Sequence, residues 1–144
     1  DQALMLFNRA MSIDPSDGKV VLGYARALAR ADRESEAEDF LSCILNDKSR
    51  FERFNNGVLL VTMLAEIKRR TGRAKEALET FTKFIPENLV DISNAVGPLP
   101  AIEYVESLLV LGKKSSAKDM MGSLKKLWPT DPFVKELYDI THSS

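Results

Sequence analysis

The chain has few of the residues that catalytic chemistry needs. It holds one cysteine, Cys43, and one histidine, His142. A single thiol excludes an intrachain disulfide framework and a multi-cysteine metal site. It leaves the compartment open, with a soluble, cytoplasmic setting favoured. A histidine triad would have to place its base near the end of the chain, where it is poorly held. The seven glycines are scattered, so they form no phosphate-cradling loop. The apolar runs, Ala3 to Phe7, Val58 to Val61 and Leu108 to Leu111 among them, fall far short of the ~20 residues of a membrane span. The chain opens without a charged region leading into an apolar one, so no signal peptide is expected. It begins at Asp1 without a Met, which points to a cut point in a longer protein or a processed start. Charge of one sign is also missing: 20 Lys and Arg face 21 Asp and Glu, which excludes a basic nucleic-acid arm and an acidic tail. The expectation is no enzyme, no cofactor, no metal, no nucleic acid and no membrane insertion.

Apolar residues make up 44 % of the chain, enough for a real core. Their spacing is helical almost throughout. Leu4, Phe7 and Met11 recur at three to four residues, as do Val21, Tyr24 and Leu28, and so do Val61, Leu64 and Ile67. Breakers cut this pattern into short helices. Asp14-Pro15 ends the first, and Ser16 or Asp17 can cap the second. Gly72 and Gly112 stand where a helix end requires positive φ. Asp131-Pro132 is an N-cap followed by Pro at the first helical position. The spacing predicts helices over 2–13, 17–30, 33–46, 57–71, 73–85, 99–111, 113–127 and 132–141. The stretch from Val90 to Pro100 reads as the longest non-helical segment, either a connection or a binding loop.

Repeats decide the architecture. Ala37, Ala77 and Ala117 are forty residues apart, and so are Asp32, Gly72 and Gly112. Each alanine opens the second helix of a pair, and large apolar residues follow: Leu41 and Ile44, Phe81 and Phe84, Met121 and Leu124. Upstream lie Tyr24-Ala25, Leu64-Ala65 and Tyr104-Val105. One helix pair per fixed period is the signature of a solenoid.

These residues resemble a tetratricopeptide repeat array. The stretch Ala3, Phe7, Ala10, Asp14-Pro15 reproduces the small–aromatic–small–Pro end of that repeat. The resemblance implies an all-α, right-handed superhelical solenoid of about eight helices in a single domain, 1–144. Its parts would be a half repeat 1–15, repeats 16–49, 50–89 and 90–129, and a capping helix 130–144. Ser49 and Leu89 stand where the closing Pro belongs, Lys68 replaces an apolar residue, and the period exceeds the usual 34 by six. A HEAT-like repeat, with a period of ~40–47, is the alternative. The Gly–x4–Ala spacing favours the tetratricopeptide reading.

In that family the first helix of each pair lines a concave groove, and the family implies a protein–protein interaction scaffold. Carrying the groove positions over gives Lys19, Leu22, Arg26 and Arg30, then Thr62, Met63, Glu66, Arg69 and Arg70, then Ile102, Glu103, Glu106 and Leu109. Such a groove runs from basic to acidic and suits a partner peptide or subunit of opposite charge order. The plainer alternative is a solvated face of mixed charge. The Lys and Asn of carboxylate-clamp members are absent: Leu22 and Arg26, Thr62 and Glu66, and Ile102 and Glu106 stand there instead. The irregular groove residues also argue against a base-by-base RNA reader.

Two further readings remain. Helix 2–13 lacks its partner helix, so Leu4, Phe7 and Met11, with Met5, Leu6 and Ile13, could support self-association into a homo-oligomer. Alternatively, the chain is a regulatory domain of a longer enzyme. Helix 132–141, with Phe133, Leu137 and Tyr138 on one face, reads as a cap, and a domain end is expected near Ser144. The run Lys68, Arg69, Arg70, Arg73 and Lys75 could meet an acidic partner or simply favour a helix C-terminus. Glu34, Glu36, Glu38 and Asp39 suit a helix N-terminus. Cys43 reads as buried core with Phe40 and Ile44, and Trp128 as a cover over the last helix junction.

Overall fold

A computed structural model describes residues 2–14 and 16–143. The expected helices all form, each end within a residue of its sequence-based position: α1 (Gln2–Ile13), α2 (Gly18–Arg30), α3 (Glu34–Asn46), α5 (Gly57–Arg70), α6 (Ala74–Phe84), α8 (Leu99–Val110), α9 (Lys114–Leu127) and α10 (Pro132–His142). Two one-turn helices are added, α4 (Lys48–Phe51) and α7 (Ser93–Val96). The described residues therefore carry ten helices where about eight were expected. Pro15 and Ser144, to which the first break and the domain end were assigned, lie outside the described residues.

Local chemistry sets the helix ends. The Asp17 carboxylate accepts from the Lys19 and Val20 amides and starts α2. Asp131 does the same for Phe133 and Val134, with Pro132 at the first position of α10. The link between the two helices of each pair is one motif used three times. The amides of Arg33, Arg73 and Lys113 reach back to the carbonyls of Leu28, Lys68 and Leu108 at 2.9, 2.8 and 2.9 Å. This closure needs a left-handed residue, and Asp32, Gly72 and Gly112 supply it with φ of 59°, 83° and 74°. Asp32 accepts a strain that glycine avoids.

Five residues beyond each turn, Ala37, Ala77 and Ala117 are fully buried. A methyl group there lets the two helices of a pair close together. Successive first helices, α2, α5 and α8, pack side by side, and each second helix packs against the next first helix. Among the described residues α3, α6 and α9 make no comparable contact with one another. The first-helix side is thus closed and the second-helix side splayed. At the N-terminal end, Phe7 lies against Gly23 so closely that a Cβ there would sit 2.3 Å from the ring.

The six extra residues per period become packed inserts. Phe51 of α4 meets the Phe84 ring at 6.1 Å between centroids. In the second insert Leu89 and Val90 are buried, and Ser93 donates to the Val90 carbonyl at 2.6 Å. The expected non-helical stretch from Val90 to Pro100 therefore contains α7 and contributes to the core. Trp128 donates from Nε1 to Ser93 Oγ at 3.0 Å, pinning that insert to the end of α9. Lys68, the polar intruder, donates to Thr80 Oγ1 at 2.9 Å.

Three burial expectations are corrected. Cys43 is exposed, because Leu41, Ile44 and Leu45 form the buried stripe of α3 and Cys43 lies to one side of it. On α1, Leu4 is buried and Phe7 and Met11 pack against the core; the open apolar residues are Met5, Leu6 and Ile13. On α10, Val134 and Leu137 face inward, while Phe133 is 70 % exposed.

Candidate partner-binding surface

The groove candidates fall on α2, α5 and α8, the three first helices that pack side by side. On α2, Lys19, Arg26 and Arg30 follow one another at helical spacing and are exposed, while Leu22 between them is buried. Arg26 and Arg30 form no ion pair among the described residues. Their guanidinium groups are available to a partner carboxylate or phosphate.

Conditions change on α5. Thr62 is 4 % exposed and its hydroxyl donates to the Val58 carbonyl at 2.8 Å. It is a core residue with an internally satisfied hydroxyl, which corrects its place among the groove candidates. Met63 and, on α8, Ile102 are also buried, because neighbouring first helices approach too closely to leave these positions open. Glu66 pairs with Arg70 at 2.9 Å, one helical turn away. Arg69 reaches across to α8, with Nε 2.6 Å from Glu103 and Nη2 3.0 Å from Glu106.

The expected run from basic to acidic is therefore corrected. Its acidic end is neutralised from within by Arg69, and only the α2 end keeps unpaired cations. Glu103 is 4 % exposed. Burial pushes its carboxyl up to about 7, against the opposing hydrogen bond and charge of Arg69.

Lys68, Arg69, Arg70 and Arg73 of the dense basic run are likewise engaged. Arg73 donates from Nη1 to Glu38 at 2.8 Å and also pairs with Glu76. The hydrogen bond from Arg73 holds the Glu38 carboxyl below its ordinary range. Of the acidic residues opening α3, Glu36 pairs with Arg33 and Glu38 with Arg73. No group of three or more acidic, His or Cys side chains suited to a metal occurs among the described residues.

Sequence reasoning found these charges but missed their partners. Arg69–Glu103 and Arg73–Glu38 span 34 and 35 residues, five to six short of the forty-residue period. Neither separation equals the forty-residue period, so a search at the period alone would miss both pairs.

Among the described residues no helix is long and apolar enough to cross a membrane. No curated protein and no solved structure matches the chain. A family model described as a tetratricopeptide repeat matches residues 1–56. Residues 1–56 are thus similar to a tetratricopeptide repeat, and the two helix pairs that follow repeat its turn and buried alanine in phase.

Proposed function

We propose that the chain is a protein–protein interaction scaffold that holds an acidic segment of a partner along α2, through Arg26 and Arg30 with Lys19 beside them. Tetratricopeptide repeats generally mediate protein–protein interactions. The observation that carries the finer reading is the contrast in charge state along the first helices. Arg69 and Arg70 are neutralised by Glu103, Glu106 and Glu66, whereas Arg26 and Arg30 are exposed without acidic partners. An unpaired guanidinium costs little in water and gains a charge-assisted bond when a carboxylate arrives. On this reading the scaffold performs no catalysis itself.

The test is affinity capture with mass-spectrometric readout, comparing the wild-type chain with an Arg26→Glu/Arg30→Glu variant. A partner held by the wild type and lost by the variant supports the reading. A partner held equally by both overturns it.

A second reading is self-assembly through α1, favoured by the exposure of Met5, Leu6 and Ile13 at 71 %, 59 % and 80 %. Leu4, Phe7 and Met11 would then support that face from behind. A mass that rises with concentration in sedimentation, and falls to the monomer value in Met5→Ser/Leu6→Ser, would establish it.

A further inference from the structure

Two clefts open between successive second helices. The one between α3 and α6 has a volume of about 190 Å³. The one between α6 and α9, with residues 85–91 as a third wall, has about 750 Å³, within the ~300–1,000 Å³ of ligand sites. The forty-residue register allows the two to be compared position by position. In the smaller cleft Lys83 donates to Asn46 Oδ1 at 3.1 Å across the gap. Lys68 and Lys83 there offset Glu76 and Glu79. Forty residues on, Asn46 becomes Pro86, Lys83 becomes Ser123 and Lys68 becomes Leu108, while Glu79 remains acidic as Asp119. The second insert then adds Glu87 and Asp91.

The larger cleft has therefore lost the side chains that would bridge it and the cations that would balance it. Three carboxylates line it, with no Lys or Arg, and none of the three forms an ion pair among the described residues. Its apolar wall includes half-buried Tyr104 and Met120. The Tyr104 ring is braced by Phe81, edge to face at 5.7 Å.

We infer that the cleft between α6 and α9 binds an extended basic segment of a partner protein, its Lys or Arg stems on Tyr104 and Met120 and its cationic heads against Asp91 and Asp119. A nucleic acid or phosphate would be repelled by the three carboxylates. A purely apolar segment would leave them facing nothing. A long cationic side chain satisfies both halves of the cleft, with its methylenes on the apolar wall and its charge at the rim. This surface lies on the second-helix side and carries the opposite charge to the α2 face, so the two would take segments of different character.

The test is titration of the ¹⁵N-labelled chain with a hexapeptide alternating leucine and lysine, with a leucine–glutamate hexapeptide as control. Saturable amide shifts centred on residues 85–91 and 116–123, from the lysine peptide alone, are expected. Asp91→Asn/Asp119→Asn should weaken binding ~tenfold or more. Both side chains are exposed, so the isosteric amides leave the fold intact. Pro86→Asn/Ser123→Lys, which restores the bridge of the smaller cleft, should weaken binding as strongly. Arg26→Glu/Arg30→Glu should bind the lysine peptide at least as well as the wild type, which separates this inference from the α2 reading. No saturable binding, shifts centred elsewhere, or unchanged affinity in the first two variants overturns it.

Discussion

The ion pairs of the two junctions between repeats lie on opposite sides, while a neutral bond from Asn56 Nδ2 to the Gly18 carbonyl at 2.9 Å also joins the first helices at the first junction. Where the α2–α3 pair meets α5–α6, polar ties cross the second-helix side: Arg73 to Glu38 and Lys83 to Asn46. Where α5–α6 meets α8–α9, the charged tie crosses the first-helix side, from Arg69 to Glu103 and Glu106, and the second-helix side stays open as an acidic cleft. The backbone motif is the same at both junctions, down to the turn and the buried alanine. The lesson is that the repeat's apolar positions set the stacking, while a handful of polar substitutions decide which face is sealed and which is left for a partner.

Truncating the core beneath each junction breaks the comparison most severely. Leu41 and Phe81 occupy corresponding positions and are 0 % and 2 % exposed. Leu41→Ala should cost about 2–5 kcal/mol and Phe81→Ala about 3–5 kcal/mol, read from urea midpoints. A loss under about 1 kcal/mol at Phe81 alone would show that the open cleft cuts into the core and that the junctions differ in more than polar ties.

The buried tie of the second junction gives the next effect. In the folded chain the Glu103 carboxyl titrates at about 7, above its ordinary 4.5. The folded state therefore holds the extra proton between those values, and the Glu103 contribution to stability falls as pH rises through that window. At ~1.4 kcal/mol per unit the change is at most about 3.5 kcal/mol. Glu103→Gln removes this slope, so the variant should gain on the wild type between pH 4.5 and 7 and hold a constant difference above. Denaturation at pH 5 and pH 7.5 measures it. A pH-independent difference would mean that Arg69 keeps the carboxylate ionised throughout.

The smallest effect belongs to the exposed bridge of the first junction. Lys83→Ser removes the contact with Asn46 and the cation over the Phe84 ring at 5.1 Å. The cost should be about 0.5 kcal/mol, as for exposed polar contacts. The same change should let the leucine–lysine peptide shift amides around the α3–α6 cleft, since Glu76 and Glu79 lose a balancing cation. No shift there would show that the apolar wall of the α6–α9 cleft, and not its charge, governs recognition.

The eight main helices were legible because their ends are written locally. Asp17 and Asp131 cap through amides two and three residues away, and the turns at Asp32, Gly72 and Gly112 close over five residues. Phase gave the pairing of helices, since three alanines forty residues apart must share one environment. The small helices α4 and α7 escaped because four residues show no period. Cys43 was misplaced because its neighbours Phe40 and Ile44 suggested a wider stripe than Leu41, Ile44 and Leu45 make. The groove was read with the right residue types and the wrong availability, with Thr62 the clearest case.

By itself the sequence determined an all-helical repeat protein: its element boundaries, its turn conformations and its buried alanines. Each of these depends on residues within a few positions or on a fixed period. Only the tertiary structure decided that Arg69 meets Glu103, that Arg73 meets Glu38, that Arg26 and Arg30 meet neither, and that a cleft opens between α6 and α9. Those outcomes depend on how far one helix pair is shifted and rotated on the next. A displacement of a few ångströms there makes or breaks an ion pair without altering any local rule.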